Sequence, residues 1–209
     1  MTAAQIIAKF ELYVGDTTEL STAEELALAN KIYQKVCDDR PWEFLKREAS
    51  GTMASTTTIT SPSDFGHFVE NRGYTDNAIV PGYNAKPVGV IINGTKWLQL
   101  IDWSTRKQYA NSDGYIYYDA YNDTLTTTYA QPSGATYSFD YKAVPADMII
   151  SDTPRIPTRF QDIIYHGMCV DDMVIQLFDK ARSNAAENQA MYMQYLSRMA
   201  LWNANLQNI

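Results

Sequence analysis

The sequence predicts an α+β protein: a four-helix bundle formed by the N- and C-terminal segments, with an antiparallel β-sandwich or barrel-like module inserted between them. Three observations point there. No proline occurs in 1–40 or in 158–209. Eight of the ten glycines lie between Gly51 and Gly134, and ten of the fifteen tyrosines between Tyr74 and Tyr141. Apolar residues recur at helical spacing near both ends, while the middle is strand formers broken by turn residues. The expected division is 1–47 with 152–209 for the helical bundle, and 48–151 for the β-rich insertion.

The first helix is expected over about 2–13, with Ile6, Ile7 and Phe10 on one face. A loop through Gly15-Asp16 follows. Ser21 with Glu24 forms a capping box, which satisfies backbone N–H groups at a helix start. Leu28, Ala29, Ile32, Tyr33 and Val36 carry the second helix to about Asp39. Pro41 stops it, because the residue before proline avoids helical angles. Trp42 and Phe44 then anchor the junction to the core. Pro145, Pro154 and Pro157 return the chain to helix. A long one starts at Pro157 or Thr158, with Phe160, Ile163, Ile164, Met168, Val174, Ile175 and Phe178 as its stripe. The last helix spans about 186–206.

In the middle, the β-branched run 56–60 favours strand. Ser61-Pro62-Ser63-Asp64-Phe65 is a turn with an aromatic plug. Asn93-Gly94 accepts the positive φ angles of a type I′ turn and makes 88–101 a hairpin. Asn111-Ser112-Asp113-Gly114 is a second turn, between strands expected at 103–110 and 115–120. Pro132-Ser133-Gly134 is a third, joining 124–130 to 136–142.

Composition excludes several functions. The 209 residues carry a net charge of −7, split −2, −4 and −1 among 1–47, 48–151 and 152–209. No segment is basic enough to hold nucleic acid by phosphate contacts. Cys37 and Cys169 are the only cysteines and His67 and His166 the only histidines. They cannot build a disulfide framework, a four-cysteine zinc site or a three-imidazole site. The N-terminus lacks a basic start followed by a long apolar run, so no signal peptide is expected. No stretch approaches the ~20 apolar residues of a membrane span.

Candidate chemistry is thin. Gly89 to Lys96 matches the glycine spacing of a phosphate loop, but Thr95 and Lys96 are reversed and no helix follows, so the hairpin reading is preferred. Asp162, His166 and Cys169 share one helix face. Neighbours on a helix point outward side by side, which is poor geometry for a nucleophilic pair. Asp38-Asp39 and Asp171-Asp172 split between helix faces rather than converge on a metal. Trp97, Trp103, Tyr109, Tyr115, Tyr117, Tyr118 and Tyr121 could form a sugar-binding platform, or serve as ordinary strand formers. Catalytic, cofactor and metal residues are therefore expected to be none.

The last helix is unusual. Met191, Tyr192, Met193, Tyr195, Met199, Leu201 and Trp202 cover more than half its circumference. Either the helix is central and buried, or it has a second interface. Residues 203–209 read as a polar end that orders on binding.

The order of elements is the most informative feature. Two helices end in Arg40-Pro41-Trp42-Glu43-Phe44-Leu45. A β insertion follows, with its Ser61-Pro62-Ser63-Asp64-Phe65 turn. The strand Tyr137-Ser138-Phe139-Asp140-Tyr141-Lys142 closes it. Ile156-Pro157-Thr158-Arg159-Phe160 then opens the closing helices. The arrangement resembles the head-to-tail connector (adaptor) proteins of tailed bacteriophages over nearly the whole chain. The resemblance implies a virion structural protein of the neck, assembled in the host cytoplasm, with no catalytic residue and no membrane contact. It implies self-association into a ring, often dodecameric, beneath the portal protein. The β module would face tail or nozzle proteins, and DNA would only pass through the channel. A negative ring lining would repel that DNA and keep it from sticking. The interface residues expected on this reading are Tyr192, Tyr195, Met199, Trp202, Leu206 and Ile209. The alternatives are a glycan-binding β module on a helical stalk, tested at Trp97 or Tyr117, and a neck stopper protein.

Overall fold

The computed structural model describes residues 1–15, 19–69 and 88–207. It has two compact units, one of Met1–Leu45 with Pro145–Ile209 and one of Lys46–Val144.

The helical unit holds α1 (Ala3–Val14), α2 (Thr22–Asp38), α3 (Asp162–Cys169), α4 (Asp172–Leu177), α5 (Asp179–Ser183) and α6 (Ala185–Gln207). Local chemistry sets their ends. Thr2 and Gln5 form a capping box at the start of α1, and Gly15 closes it with φ 76°. Ser21 and Glu24 do the same for α2: the Ser21 N–H donates to Glu24 Oε2 at 2.8 Å. Beyond α2, Trp42 is fully buried, donates from Nε1 to the Val36 carbonyl at 2.7 Å and stacks on Phe44.

The expected long helix does not form. A 3₁₀ turn at Thr158–Phe160 precedes α3, and the chain breaks again into α4 and α5. Two side chains cause the breaks. Asp171 adopts extended angles and accepts the Met173 N–H, capping a new helix instead of continuing the old one. Phe178 is also extended, which lays its ring edge-on against Phe10 at 6.1 Å. In place of the expected four-helix bundle, the described residues of this unit form six helices that share one core.

Gly167 of α3 marks a close crossing in that core. A Cβ there would lie 2.4 Å from Ile32 Cγ2 on α2 and 3.1 Å from the Tyr192 ring on α6. Only glycine lets α3 approach both helices so closely.

Among the described residues, the second unit is one eight-stranded sheet curled into a nearly closed barrel. Its strands are β1 (Lys46–Thr52), β2 (Thr58–Thr60), β3 (Phe65–Phe68), β4 (Gly89–Ile92), β5 (Lys96–Leu100), β6 (Tyr115–Asp119), β7 (Thr124–Thr127) and β8 (Thr136–Ala143). The order is β1-β8-β4-β5-β6-β7-β2, and β3 also pairs with β8. Ile59, Val90, Ile92, Leu98, Ile116, Leu125 and Phe139 belong to its buried core. The hairpin at Asn93-Gly94 forms, with φ 51° and 71° at the two turn residues.

Two other expected pairings do not. Residues 103–110 make a 3₁₀ turn (Trp103–Thr105) and further turns, not a strand. Asp102 starts this by accepting the Ser104 N–H at 2.7 Å. The excursion returns β6 parallel to β5, with Gln99 opposite Tyr115, so the sheet is mixed rather than antiparallel. The Pro132-Ser133-Gly134 turn exists, but it does not join a hairpin. β7 pairs with β6 and β2, whereas β8 pairs with β1, β3 and β4.

Two substitutions probe the helical core. Gly167→Ala should lower stability by about 1–3 kcal/mol despite alanine's better helix propensity, because the methyl overpacks the crossing. Chemical denaturation checks it, and an unchanged midpoint would contradict the crossing geometry. Glu25 on α2 is buried, and its carboxyl is pushed up from 4.5 to about 7, first by burial and then by the charge of Glu11. The fold favours the protonated form, so stability falls as pH rises from about 4.5 to about 7 and is flat above. Glu25→Gln mimics that form. It should match wild type near the lower limit and exceed it at about pH 8 by roughly 1–3 kcal/mol in unfolding experiments.

Candidate functional site

Helix α6 has 23 residues and is about 34 Å long. Its inner stripe is Asn188, Tyr192, Leu196, Met199 and Asn203, all buried. The polar members of that stripe have partners. Asn188 Oδ1 lies 3.0 Å from His166 Nδ1, and its Nδ2 donates to Tyr13 Oη at 2.7 Å. Asn203 Oδ1 accepts the Glu43 N–H at 2.7 Å.

The outer face has a different character. Its exposed positions include Gln189, Ala190, Met193, Gln194, Ser197, Leu201, Ala204 and Asn205. Glu187 and Arg198 are the only charged residues of the whole helix. An outward face of a helix is ordinarily rich in charge. This one is nearly neutral, and Leu201 stands 68% exposed on it.

At the C-terminal half of α6 the surface forms an open groove of about 290 Å³, lined by Arg159, Phe160, Arg198, Leu201, Trp202 and Asn205. The sequence around Pro157 builds its wall. Pro157 precedes the 3₁₀ turn, which places Arg159 and Phe160 against α6. The Phe160 and Trp202 rings lie 5.8 Å apart, and the Arg159 guanidinium sits 4.9 Å from the Trp202 ring centre. Among the described residues neither Arg159 nor Arg198 has a carboxylate partner. Exposed arginines and a leucine stand beside a half-buried tryptophan in this groove, and arginine and tryptophan are enriched at protein interfaces and their hot spots.

The expected interface residues separate on this helix. Tyr192 and Met199 are buried in the unit's own core and offer no surface to a partner. Burial, with Asp39 nearby, pushes the Tyr192 hydroxyl pKa up. Tyr195 is half-buried, its ring 5.7 Å from His166. Trp202 is half-buried in the groove and Leu206 is exposed. Ile209 lies outside the described residues. The stretch expected to order on binding is helical through Gln207, and its Asn203 is already bonded inward. Arg198 escaped the sequence reading; its only signal was being the sole basic residue on an otherwise nearly uncharged helix.

The other candidate groups hold different roles. His166 is bonded to Asn188, and burial pushes the Cys169 thiol up to about 12, which keeps it un-ionised at neutral pH. Asp171 pairs with Lys31 at 2.6 Å and caps α4, while Asp39 pairs with Arg40 at 2.7 Å. Among the described residues no cluster of three histidine, cysteine or acidic side chains could hold a metal ion. Lys96 belongs to β5, where it bonds Gln131 and Asp113. In the β unit, Trp97 packs against the backbone of Gly89, and Arg106 covers one face of Trp103 at 3.2 Å. Trp103 nonetheless stays half exposed. No helix among the described residues is long and apolar enough to cross a membrane.

Asn203→Ala should cost about 1–2 kcal/mol in thermal or chemical unfolding, because it strips the partner from a part-buried N–H. Wild-type stability in that variant would show that the α6 terminus is not held this way.

No curated protein matches the chain. The family model described as SU10 adaptor protein matches residues 1–208, a span that takes in α1, the barrel and the groove on α6. The chain therefore belongs to the SU10 adaptor protein family, a family of phage head–tail adaptors that are structural components of the virion.

Proposed function

We propose that this chain forms a ring of identical copies, twelve in the form the resemblance implies, which joins the portal of the capsid to the tail and surrounds the path of the DNA. Family membership over residues 1–208 carries the reading. The nearly uncharged outer face of α6 supports it, because a long exposed helix with so little charge is suited to being covered by protein. The groove beside Trp202 supports it too, since it offers a partly exposed indole ring and two guanidinium groups to a partner.

Charge is consistent with a DNA conduit. The net −7 per chain adds with each copy, so a ring has a negative field that opposes adhesion of passing DNA. A closed ring gives every subunit two heterologous contacts, so modest pairwise contacts sum to a firm assembly. Docking on a portal at several positions adds avidity without any new chemistry. The partners on this reading are the portal protein, tail or nozzle proteins, and other copies of the chain.

Mixing the purified chain with portal rings and imaging by negative stain tests this. The expected result is a second ring, coaxial with the portal and built of many copies. Particles whose portals carry no added density, or a single off-axis copy, would rule the reading out.

A further inference from the structure

We propose that the groove beside Trp202 receives α4 of a second copy of this chain, with Arg159 and Arg198 facing Asp172 and with Leu201 and Trp202 covering Met173 and Leu177. The inference rests on the ring reading and assigns it a surface.

The two patches are complementary. The groove offers two guanidinium groups without carboxylate partners among the described residues, beside an exposed leucine and a half-buried tryptophan. Helix α4 offers the opposite set. Met173 is 41% and Leu177 44% exposed, one turn apart on the same face of the helix. Asp172 is exposed beside them and, among the described residues, has no ion-pair partner.

The patches cannot satisfy each other within one molecule. Arg182 holds the end of α4 by donating from Nε to the Ile175 carbonyl at 3.1 Å and from Nη2 to the Gln176 carbonyl at 2.8 Å. Arg182 lies just before α6, so α4 is fixed near the N-terminal end of that helix. The groove begins at Arg198, about 20 Å further along the axis. Complementary patches at the two ends of one rigid helix meet only between copies, and they meet head to tail. That is the heterologous contact a ring requires. Nucleic acid is the weaker occupant, because two arginines stand in a unit that otherwise carries an acidic excess.

Paired cysteines test the contact. Phage particles are assembled with Leu201→Cys and Met173→Cys in the same chain, oxidised gently, and run on a non-reducing gel. The native cysteines Cys37 and Cys169 are buried and stay silent. The expected result is a ladder of multimers of this chain from the double variant and from neither single variant. Particles that hold many copies but give no ladder overturn the groove assignment and leave the ring reading standing. A crosslink from the thiol introduced at position 201 to another virion protein overturns it as well. Particles with a single copy remove the ring reading itself, and the contact with it. Charge reversal supplies an independent arm. Arg198→Glu should cut incorporation about tenfold or more, and adding Asp172→Arg should restore it. Both variants are first checked for native circular dichroism, and a double reversal that folds but is not incorporated refutes the pairing.

Discussion

Everything in the helical unit depends on the closeness of α3 to its neighbours. Gly167 brings α3 within side-chain contact of Ile32 on α2 and Tyr192 on α6 at one point. Those two helices come from opposite ends of the chain. The core that includes Phe10, Tyr33, Trp42, Ile163, Met168 and Met199 is therefore completed only when the last segment has returned. Long-range closure of this kind is slow to reach and cooperative once reached. It also fixes α6 in rotation. With Asn188, Tyr192, Leu196, Met199 and Asn203 committed inward, Met193, Ser197 and Leu201 must face out.

That fixed rotation turns an otherwise ordinary core helix into a surface with a direction. The polar residues of the inner stripe sharpen it. Asn188 bonds to groups on α3 and α1, and Asn203 bonds to Glu43, so a rotation of α6 would break hydrogen bonds at both ends as well as apolar packing. Buried polar pairs of this type add little net stability, but they discriminate against alternative registers. The groove inherits this precision. Trp202 keeps its place because Phe160 and the Arg159 guanidinium pack on it, and Phe160 keeps its place because it is itself buried.

Legibility in the sequence followed how local each cause was. Ser21 with Glu24, and Asn93-Gly94, act through their own neighbours in the chain, and both could be read directly. The break after α3 could not, because the apolar spacing from Phe160 to Phe178 continues through it. What stops the helix is one Asp171 cap and one ring turned toward Phe10. Strand pairing was the least legible. Pro132-Ser133-Gly134 is a sound turn by composition, yet β8 is claimed by β1 and β4, whose longer or more apolar ladders outweigh a hairpin with β7. On α6 the width of the apolar face was readable but its orientation was not. When both sides of a helix are apolar, period alone cannot say that Tyr192 and Met199 are core while Leu201 is surface.

Charge gives the last step. Counted by compact unit, 1–45 with 145–209 carries nine basic and fifteen acidic side chains, and 46–144 carries eight and nine. The net −7 is thus almost wholly a property of the helical unit. Inside that unit several surface cations are already matched, Lys9 to Asp162, Lys31 to Asp171, Arg40 to Asp39 and Arg182 to Asp179. Arg159 and Arg198 have no such carboxylate among the described residues, and they stand together in one groove. An acidic body that keeps an unneutralised basic groove is attracted to copies of itself at that groove and repelled elsewhere. Attraction at one patch with repulsion over the rest selects a single relative orientation. Repeated through many copies, a single orientation between unlike patches can end only in a closed ring or an open helix.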